Sequence, residues 1–563
     1  MGCFSISASG KASLPWNDLV TILPVIRFLS LVWTVGFLCC IRKKLYSKTR
    51  YGSPSILKIA PLVKSVYESI RKYCILNLME YQVTVGMEIH AELRTKTKMF
   101  CASKNDPNEK HPNINICPVC MGHPGTLPVI NNEAVRLVHR VGLALGGEIQ
   151  KFSRFDRKNY FYPDLPKGYQ ISQYKYPLVL GGVLNGVRIT RVHLEEDAGK
   201  LMHDSGGKFS LVDFNRAGVP LMELVTEPDI KSAKEAKKFA EELQLTLQYL
   251  GASEANMEKG EMRCEANISV SKTNEMGTKV EVKNLNSFRA VERAIEYEVK
   301  RQIEFLENGK KVMQETRGWN ENKEETFSQR SKESAHDYRY FPEPDLPPME
   351  FSDKYSEELR ATIPELPAEK RKRLADEYKL EAKAVEILIN DRVLAAFWEK
   401  VASELREWIH EEGITHPPTF ETAMKLTSNY FTSDLLGLIK EKEIPVSELL
   451  VDPENFAELI KMLINKEINS RVAKDVLRVM VEQGGDPSTI VENKGLKQIG
   501  DEVELSSMIK KIIYANPKAV ADFKAGKQQS LQFLVGQIMK ETKGTANPEI
   551  IRAVLGRHIW RID

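Results

Sequence analysis

The sequence predicts an α+β head followed by an all-helical rear half. Three observations carry that prediction. From Tyr81 to about Pro348, segments alternating apolar and polar residues are mixed with turns and two amphipathic helical stretches. The proline-rich run FPEPDLPPMEFSDKYSEELRATIPELPAEKR then breaks the pattern, as a boundary or long connector does. Beyond it, apolar residues recur at three- and four-residue spacing between short Gly/Pro/Asn turns. At 563 residues the chain exceeds one compact core, and two to four domains are expected.

Taken in chain order, residues 1–78 come first and are set apart from the fold. LVTILPVIRFLSLVWTVGFLCCI, Leu19 to Ile41, is long enough to span a bilayer, although Pro24 and Arg27 interrupt it. The region is poor in acids, as organellar presequences are, and a biological start at Met79 is the further reading. VTVGMEIHAEL and VRITRVHLEED alternate as half-buried strands do. SAKEAKKFAEELQLTLQYLG reads as a helix opened by Ser232 and closed by Gly251. FRAVERAIEYEVKRQIEFLENGK is a second, stopped by Asn308-Gly309. In the rear half, ENFAELIKMLINKEI typifies the helical pattern.

Composition narrows the class. With 42% hydrophobic and 28% charged residues this is a globular protein, and eight cysteines are too few for a disulfide scaffold. The formal charge of +3 is uneven: residues 1–80 hold eleven Lys/Arg against three Asp/Glu. Val491 to Asp563 hold twelve basic and eight acidic side chains, the one basic region of the body that could meet a polyanion.

Nucleotide and hydrolase signatures are missing. Gly207-Lys208 is followed by Phe209, so there is no P-loop, and neither G-x-S-x-G nor G-x-G-x-x-G occurs. The head carries carboxylates in clusters instead: Glu88 with His90, Glu195-Glu196-Asp197, Glu223 with Glu227, and Glu265. Residues 88 and 90 share a strand face, and converging carboxylates suit Mg²⁺ or a similar hard cation. Taken singly, each is more often a solvated or salt-bridged surface acid. Arg157, Lys158, Arg216 and Lys283 could meet phosphates or a carboxylate, or pair with those acids. Cys101, Cys117 and Cys120 follow C-x15-C-x2-C, which is either a knuckle for zinc with His111 or His123 completing it, or three buried thiols. FDRKNYFYPDLPKGYQISQY holds six aromatic rings among charges; they could line a polar channel, stack on a base, or sit half buried in paired strands.

VGMEIHAELRTKTKMFC, PGTLPVIN, FDRKNYFYPDLPKGYQISQY, HLEEDAGK, DFNRAGVPLMELVTEPDI, RCEANISV, VEVKNLNSF and DYRYFPEPDLPP together resemble the GatB family of aminoacyl-tRNA amidotransferase components. The resemblance runs from Tyr81 to the C-terminus. It implies a mixed-sheet catalytic cradle domain over 79–350, a helical domain over 351–490 and a YqeY-like helical tail over 491–563. It implies a ligase component that uses ATP and Mg²⁺ to phosphorylate the side-chain carboxylate of misacylated Glu-tRNA(Gln) or Asp-tRNA(Asn). Ammonia released from glutamine by an amidase partner then displaces the phosphate, and a small third protein wraps and joins the other two in a heterotrimer. A tRNA-binding scaffold with an inactive kinase site is the alternative.

Carried over by motif, the metal falls to His90, Glu196 and Glu223, with Glu88 and Glu265 close by or acting through water. His90 could instead orient a water. Lys158, Tyr160 and Tyr162 are expected beside the ammonia channel and acyl-acceptor end, with Asp197 among the catalytic groups. Lys283, Asn284 and Arg216 are expected near the nucleotide. Zinc-bearing members have C-x-C where this chain has Cys101-Ala102-Ser103, so the fourth cysteine that the resemblance implies is missing and zinc is left open. Lys524, Lys527, Lys540 and Lys543 are the expected tRNA phosphate contacts, against a solvated helical face. A bacterial-type cytoplasmic setting is expected, or a mitochondrial or plastid one if residues 1–78 are a presequence, with no membrane role for the folded body.

Overall fold

A computed structural model describes residues 81–563, apart from 205–207, 332–337, 411–418, 497–501, 543, 547 and 561–563. The expectations for residues 1–78 and for Lys543 therefore lie outside the described residues. Among those described, no helix is long and apolar enough to cross a membrane.

The alternation in VTVGMEIHAEL produces a strand, β1 (Gln82–Glu92), at the centre of a ten-stranded sheet. On one side lie Pro220–Thr226, Val187–Glu196 and the short strands Val179–Leu180 and Glu148–Ile149, with Val183–Leu184 paired to Val187–Glu196. On the other lie Met262–Ser271, Val280–Leu285, Glu315–Asn320 and Glu325–Ser331. In chain order we call Asp156–Asn159 β2, Tyr169–Ser172 β3, Val187–Glu196 β4, Pro220–Thr226 β5, Met262–Ser271 β6 and Val280–Leu285 β7. Glu315–Asn320 is β8. Only the β7–β8 pair in this sheet runs parallel. A parallel pair needs a crossover, and the helix Phe288–Glu307 supplies it, capped by Ser287 Oγ on the Ala290 amide and ended at Gly309 (φ 69°). The helix Ala233–Tyr249 begins at Ser232, whose hydroxyl accepts from the Glu235 amide, and closes at Gly251 (φ 64°).

Period two sorts the two faces of β1. Val85, Met87, Ile89 and Ala91 are fully buried and share a core with Phe239, Leu243, Val291 and Ile295 of the two helices. Each large apolar side chain so buried contributes about 1.5–3 kcal/mol, which fixes the register. A slip by one residue would drive Glu88 and His90 into that core. The carboxylates are therefore confined to the opposite face.

The proline-rich run is not a free connector. Phe341–Pro342 pairs antiparallel with β2, Met349–Glu350 pairs with Phe152–Ser153, and Leu346 is buried in the head core. Prolines fit there because both strands are short edge strands. A helical bundle follows around Trp398, Phe431 and Phe456, including the expected helix, Pro453–Ile464, behind its Asp452 cap. Leu245 and Tyr249 of the head join that second core, and the Tyr249 hydroxyl donates to the Ile389 carbonyl at 2.9 Å. Helices Glu502–Ala515, Pro517–Lys524, Gln528–Glu541 and Pro548–Ile559 form a third cluster of their own.

Candidate active site

Register across four strands builds the floor of a cleft of about 440 Å³. Glu223 of β5 stands directly opposite both His193 of β4 and His90 of β1, and His90 opposite Arg263 of β6. Directly opposed residues send their side chains to the same face. One Glu223 carboxylate oxygen lies 3.2 Å from His90 Nε2 and 3.3 Å from His193 Nε2. Glu195, two residues beyond His193, reaches to 3.9 Å of His90 Nε2 and accepts from Ser172 Oγ of β3 at 2.9 Å. His90, Glu195 and Glu223 can each place a ligating atom within 4.8 Å of the others.

A second acidic trio, Glu88, Glu265 and Glu281, meets the same 4.8 Å test beside the first. Lys283 donates to Glu265 at 2.7 Å and lies 3.5 Å from Glu281, while Asn267 Nδ2 donates to Glu88 at 2.8 Å. Further along the wall, Asp197 is gripped by Arg263, with Arg216 at 3.6 Å. Burial would raise the Asp197 carboxyl, and those guanidinium charges instead hold it below its ordinary value.

The same balance of burial against charge governs the floor. Burial opposes ionisation of Glu223, yet charge and hydrogen bonds from His193 and His90 hold it well below the usual carboxylate range. Burial would lower His90, but the Glu223 hydrogen bond and the Glu223 and Glu195 charges push it up to about 9. Glu88 is raised, first by burial and then by repulsion from Glu223 and Glu265. Lys158 and Lys283 are both raised against burial, chiefly by Glu195 and by Glu265 respectively. Without a cation the site holds its acids by drawing on histidine and lysine charge.

The aromatic stretch divides among several duties. Phe155 is core, packed edge-on against Phe100. β2 and β3 pair antiparallel, so the FDRKNYFYPDLPKGYQISQY segment is a hairpin and not a helix. Lys158 Nζ sits 5.2 Å from the Tyr338 ring centroid and 6.0 Å from that of Tyr160. Tyr174 stacks on Tyr340 at 4.4 Å. Lys158 and these four tyrosines line the cleft, held together because Phe341 pairs with Arg157 and the Arg157 guanidinium forks onto Glu343 at 2.7 and 2.8 Å.

Of the residues singled out from sequence, Glu88, His90, Lys158, Tyr160, Asp197, Glu223, Glu265, Lys283 and Asn284 line this cleft. Glu196 does not. It shares the face of Val192 and Leu194, where its carboxylate accepts from Lys167 Nζ at 2.7 Å and from the Ile171 amide at 2.9 Å. Adjacent strand residues face opposite ways, so Glu195 takes the place expected of Glu196. Tyr162 is exposed and stands outside the cleft, and Arg216 directs its donors to the Ala198 and Gly199 carbonyls. Lys524, Lys527 and Lys540 are exposed on the tail, Lys527 within 2.9 Å of Asp522. Sequence reasoning missed His193, Arg263, Glu281, Tyr338 and Tyr340; the two-residue step from His193 to Glu195 was the signal for the first.

Behind β4 lies a second cavity of about 200 Å³, lined by Glu196, Lys167, Cys101 and Cys120 among others. Cys101, Cys117 and Cys120 cluster there, and no fourth His, Cys, Asp or Glu among the described residues joins them. Hydrogen bonding from Cys101, opposed by burial and aided by the Lys98 charge, lowers the Cys120 thiol to about 5.

Known proteins resemble the chain over most of its length. A family model described as the GatB/GatE catalytic domain matches residues 83–357, and one described as the GatB domain matches 419–559. The B-type component of the aspartyl/glutamyl-tRNA(Asn/Gln) amidotransferase of Thermotoga petrophila is 47% identical over 491 residues, covering 85% of this chain and 98% of that protein. The chain belongs to the GatB family. Similarly named members from Carboxydothermus hydrogenoformans, at 45% over 491 residues, and Persephonella marina, at 44% over 487, also cover 85% of this chain. They cover 98% and 99% of their own lengths, so head and tail correspond to whole family members. As a GatB-family protein the chain is one component of a multi-subunit amidotransferase of the ligase class.

Proposed function

We propose that this chain is the ATP- and Mg²⁺-dependent component that phosphorylates the side-chain carboxylate of Glu-tRNA(Gln), Asp-tRNA(Asn) or both. Ammonia from a glutaminase partner then displaces the phosphate, and a small third protein completes the heterotrimer. The supporting observation is the polarity of the cleft: His90, Glu195 and Glu223 line it, the neighbouring trio Glu88–Glu265–Glu281 adds further carboxylates, and Lys158 and Lys283 line it as well. This donor set, rich in carboxylate oxygen, fits a hard cation. His90, Glu195 and Glu223 would hold one, with Glu88 and Glu265 near it. When bound, the ion supplies positive charge that neutralises phosphate oxygens.

The remaining work falls to side chains. Lys283 and Asn284 face the cleft where the nucleotide phosphates would lie, and Lys158 offers its charge to the oxygens between donor and acceptor. Arg263 and Arg216 fix the Asp197 carboxylate on the wall, leaving it to accept a hydrogen bond without taking up a proton. Tyr160, Tyr338 and Tyr340 give the acyl end of the tRNA a wall of flat rings with polar tips, and exclude bulk water from the acyl phosphate.

The test uses the reconstituted complex with ATP, Mg²⁺ and misacylated tRNA, following γ-phosphate release and amidated tRNA together. Glu223→Gln should bind tRNA yet neither release phosphate nor amidate. Normal phosphate release by that variant would leave the chain a tRNA-binding scaffold.

A further inference from the structure

The thiol cluster behind β4 is unused by this function. Cys117 and Cys120 bracket the turn Cys117-Pro118-Val119-Cys120, closed by the Met121 amide donating to the Cys117 carbonyl at 3.0 Å. The Cys117 amide donates to Cys120 Sγ at 3.1 Å, and the two sulfurs stand 3.8 Å apart, in van der Waals contact. Lys98 is wholly buried, with Nζ 3.9 Å from Cys120 Sγ and 3.2 Å from the Phe214 carbonyl. The positive charge a metal would bring to the central sulfur is thus already supplied by the chain, and it would repel a second cation. With three sulfurs, no fourth His, Cys, Asp or Glu among the described residues within 4.8 Å of all three, and a buried ammonium in place, the cluster does not fit tetrahedral zinc.

We propose that Cys117 and Cys120 form a dithiol–disulfide couple, a modification site oxidised by hydrogen peroxide and restored by small thiols. Cys120 is the attacking sulfur, because the Lys98 ammonium and the Cys117 amide both favour its anion. It also lines the 200 Å³ cavity through which a small oxidant reaches it. Cys120 sulfur attacks one peroxide oxygen; the S–O bond forms, the O–O bond breaks, and the departing hydroxide takes up a proton as water. Cys117 sulfur then attacks the sulfenic sulfur; the S–S bond forms, the S–O bond breaks, and a second water leaves. Two sulfurs are oxidised, one peroxide is reduced, and both thiol protons end in water. Cys101, within 4.8 Å of both sulfurs, stands by as a third thiol.

The experiment treats the full-length chain with hydrogen peroxide, alkylates it under denaturing conditions, and maps the cysteine peptides by mass. The expected product is one peptide carrying both Cys117 and Cys120, two hydrogens lighter, closed to alkylation and reopened by dithiothreitol. Cys101→Ser should leave that product unchanged, and Cys120→Ser should abolish it. Zinc content is measured on the same preparation, grown with added zinc. Stoichiometric zinc that protects the thiols, a sulfinic acid at Cys120 with Cys117 still alkylatable, or a Cys101–Cys120 cross-link as the main product would each overturn the proposal. Should the serine variants fail to fold, the wild-type peptide map and zinc content decide alone.

Discussion

Replacing Glu195 and Glu196 one at a time, each by glutamine, separates the two faces of β4. Glu195 lies 3.9 Å from His90 Nε2 in the acidic floor, whereas Glu196 lies 2.7 Å from Lys167 on the reverse side. A unit charge at about 4 Å is worth about 4 kcal/mol at an effective dielectric constant near 20. The glutamine oxygen keeps part of this, so Glu195→Gln should cost about 3 kcal/mol of cation binding, on the order of 100-fold in the Mg²⁺ requirement. Glu196→Gln leaves Lys167, only 12% exposed, without its carboxylate. Breaking one side of a buried pair costs about 3 kcal/mol or more, which for a domain of this size lowers Tm by about 6–12 °C. The assay is a Mg²⁺ titration of amidation in the reconstituted complex, beside thermal melts of each variant. Glu195→Gln should shift the titration with little change in melting, and Glu196→Gln should do the reverse. A Mg²⁺ shift confined to Glu196→Gln would refute the assignment of faces and the cleft geometry with it.

Three further outcomes are expected. Because His90 is pushed up to about 9 from an unfolded value near 6.5, its charge stabilises the metal-free fold fully below pH ~6.5, and the contribution is lost as pH rises through about 9. It amounts to about 3 kcal/mol at most; denaturant midpoints measured across that window should fall for the wild type and stay flatter for His90→Gln. Arg157→Met strands the wholly buried Glu343 side chain and should cost about 3–5 kcal/mol by urea unfolding. Arg157→Met combined with Glu343→Gln should recover part of that loss, and no recovery would mean the pair is not the strut between the hairpin and the Tyr338–Tyr340 segment. Lys524→Ala with Lys540→Ala should weaken tRNA binding and flatten its salt dependence by about 0.7–0.9 in log–log slope per lost contact. An unchanged slope would leave those lysines a solvated face.

What the sequence disclosed, and what it withheld, follows from the range of each interaction. Strand alternation and helix caps are local, so β1, β4, the helix behind Ser232 and the helix ended by Gly309 were legible residue by residue. The active-site floor is not local. Glu223 reaches His90 only because β1 and β5, some 130 residues apart in the chain, pair in one register. Tyr338 and Tyr340 meet Lys158 and Tyr174 only because Phe341 pairs with Arg157. No periodicity encodes such pairings. The choice between Glu195 and Glu196 was different, because it was open to local reasoning. Parity counted from His193 points Glu195 to the floor, and parity counted from the buried Val192 and Leu194 turns Glu196 away. The motif supplies two adjacent acids, and the pleat gives them different work: one for the cleft and one for the Lys167 pocket behind it. Because a single strand carries both, a one-residue slip in β4 register would exchange their faces, and the buried Val192 and Leu194 that oppose such a slip protect the chemistry as well as the core.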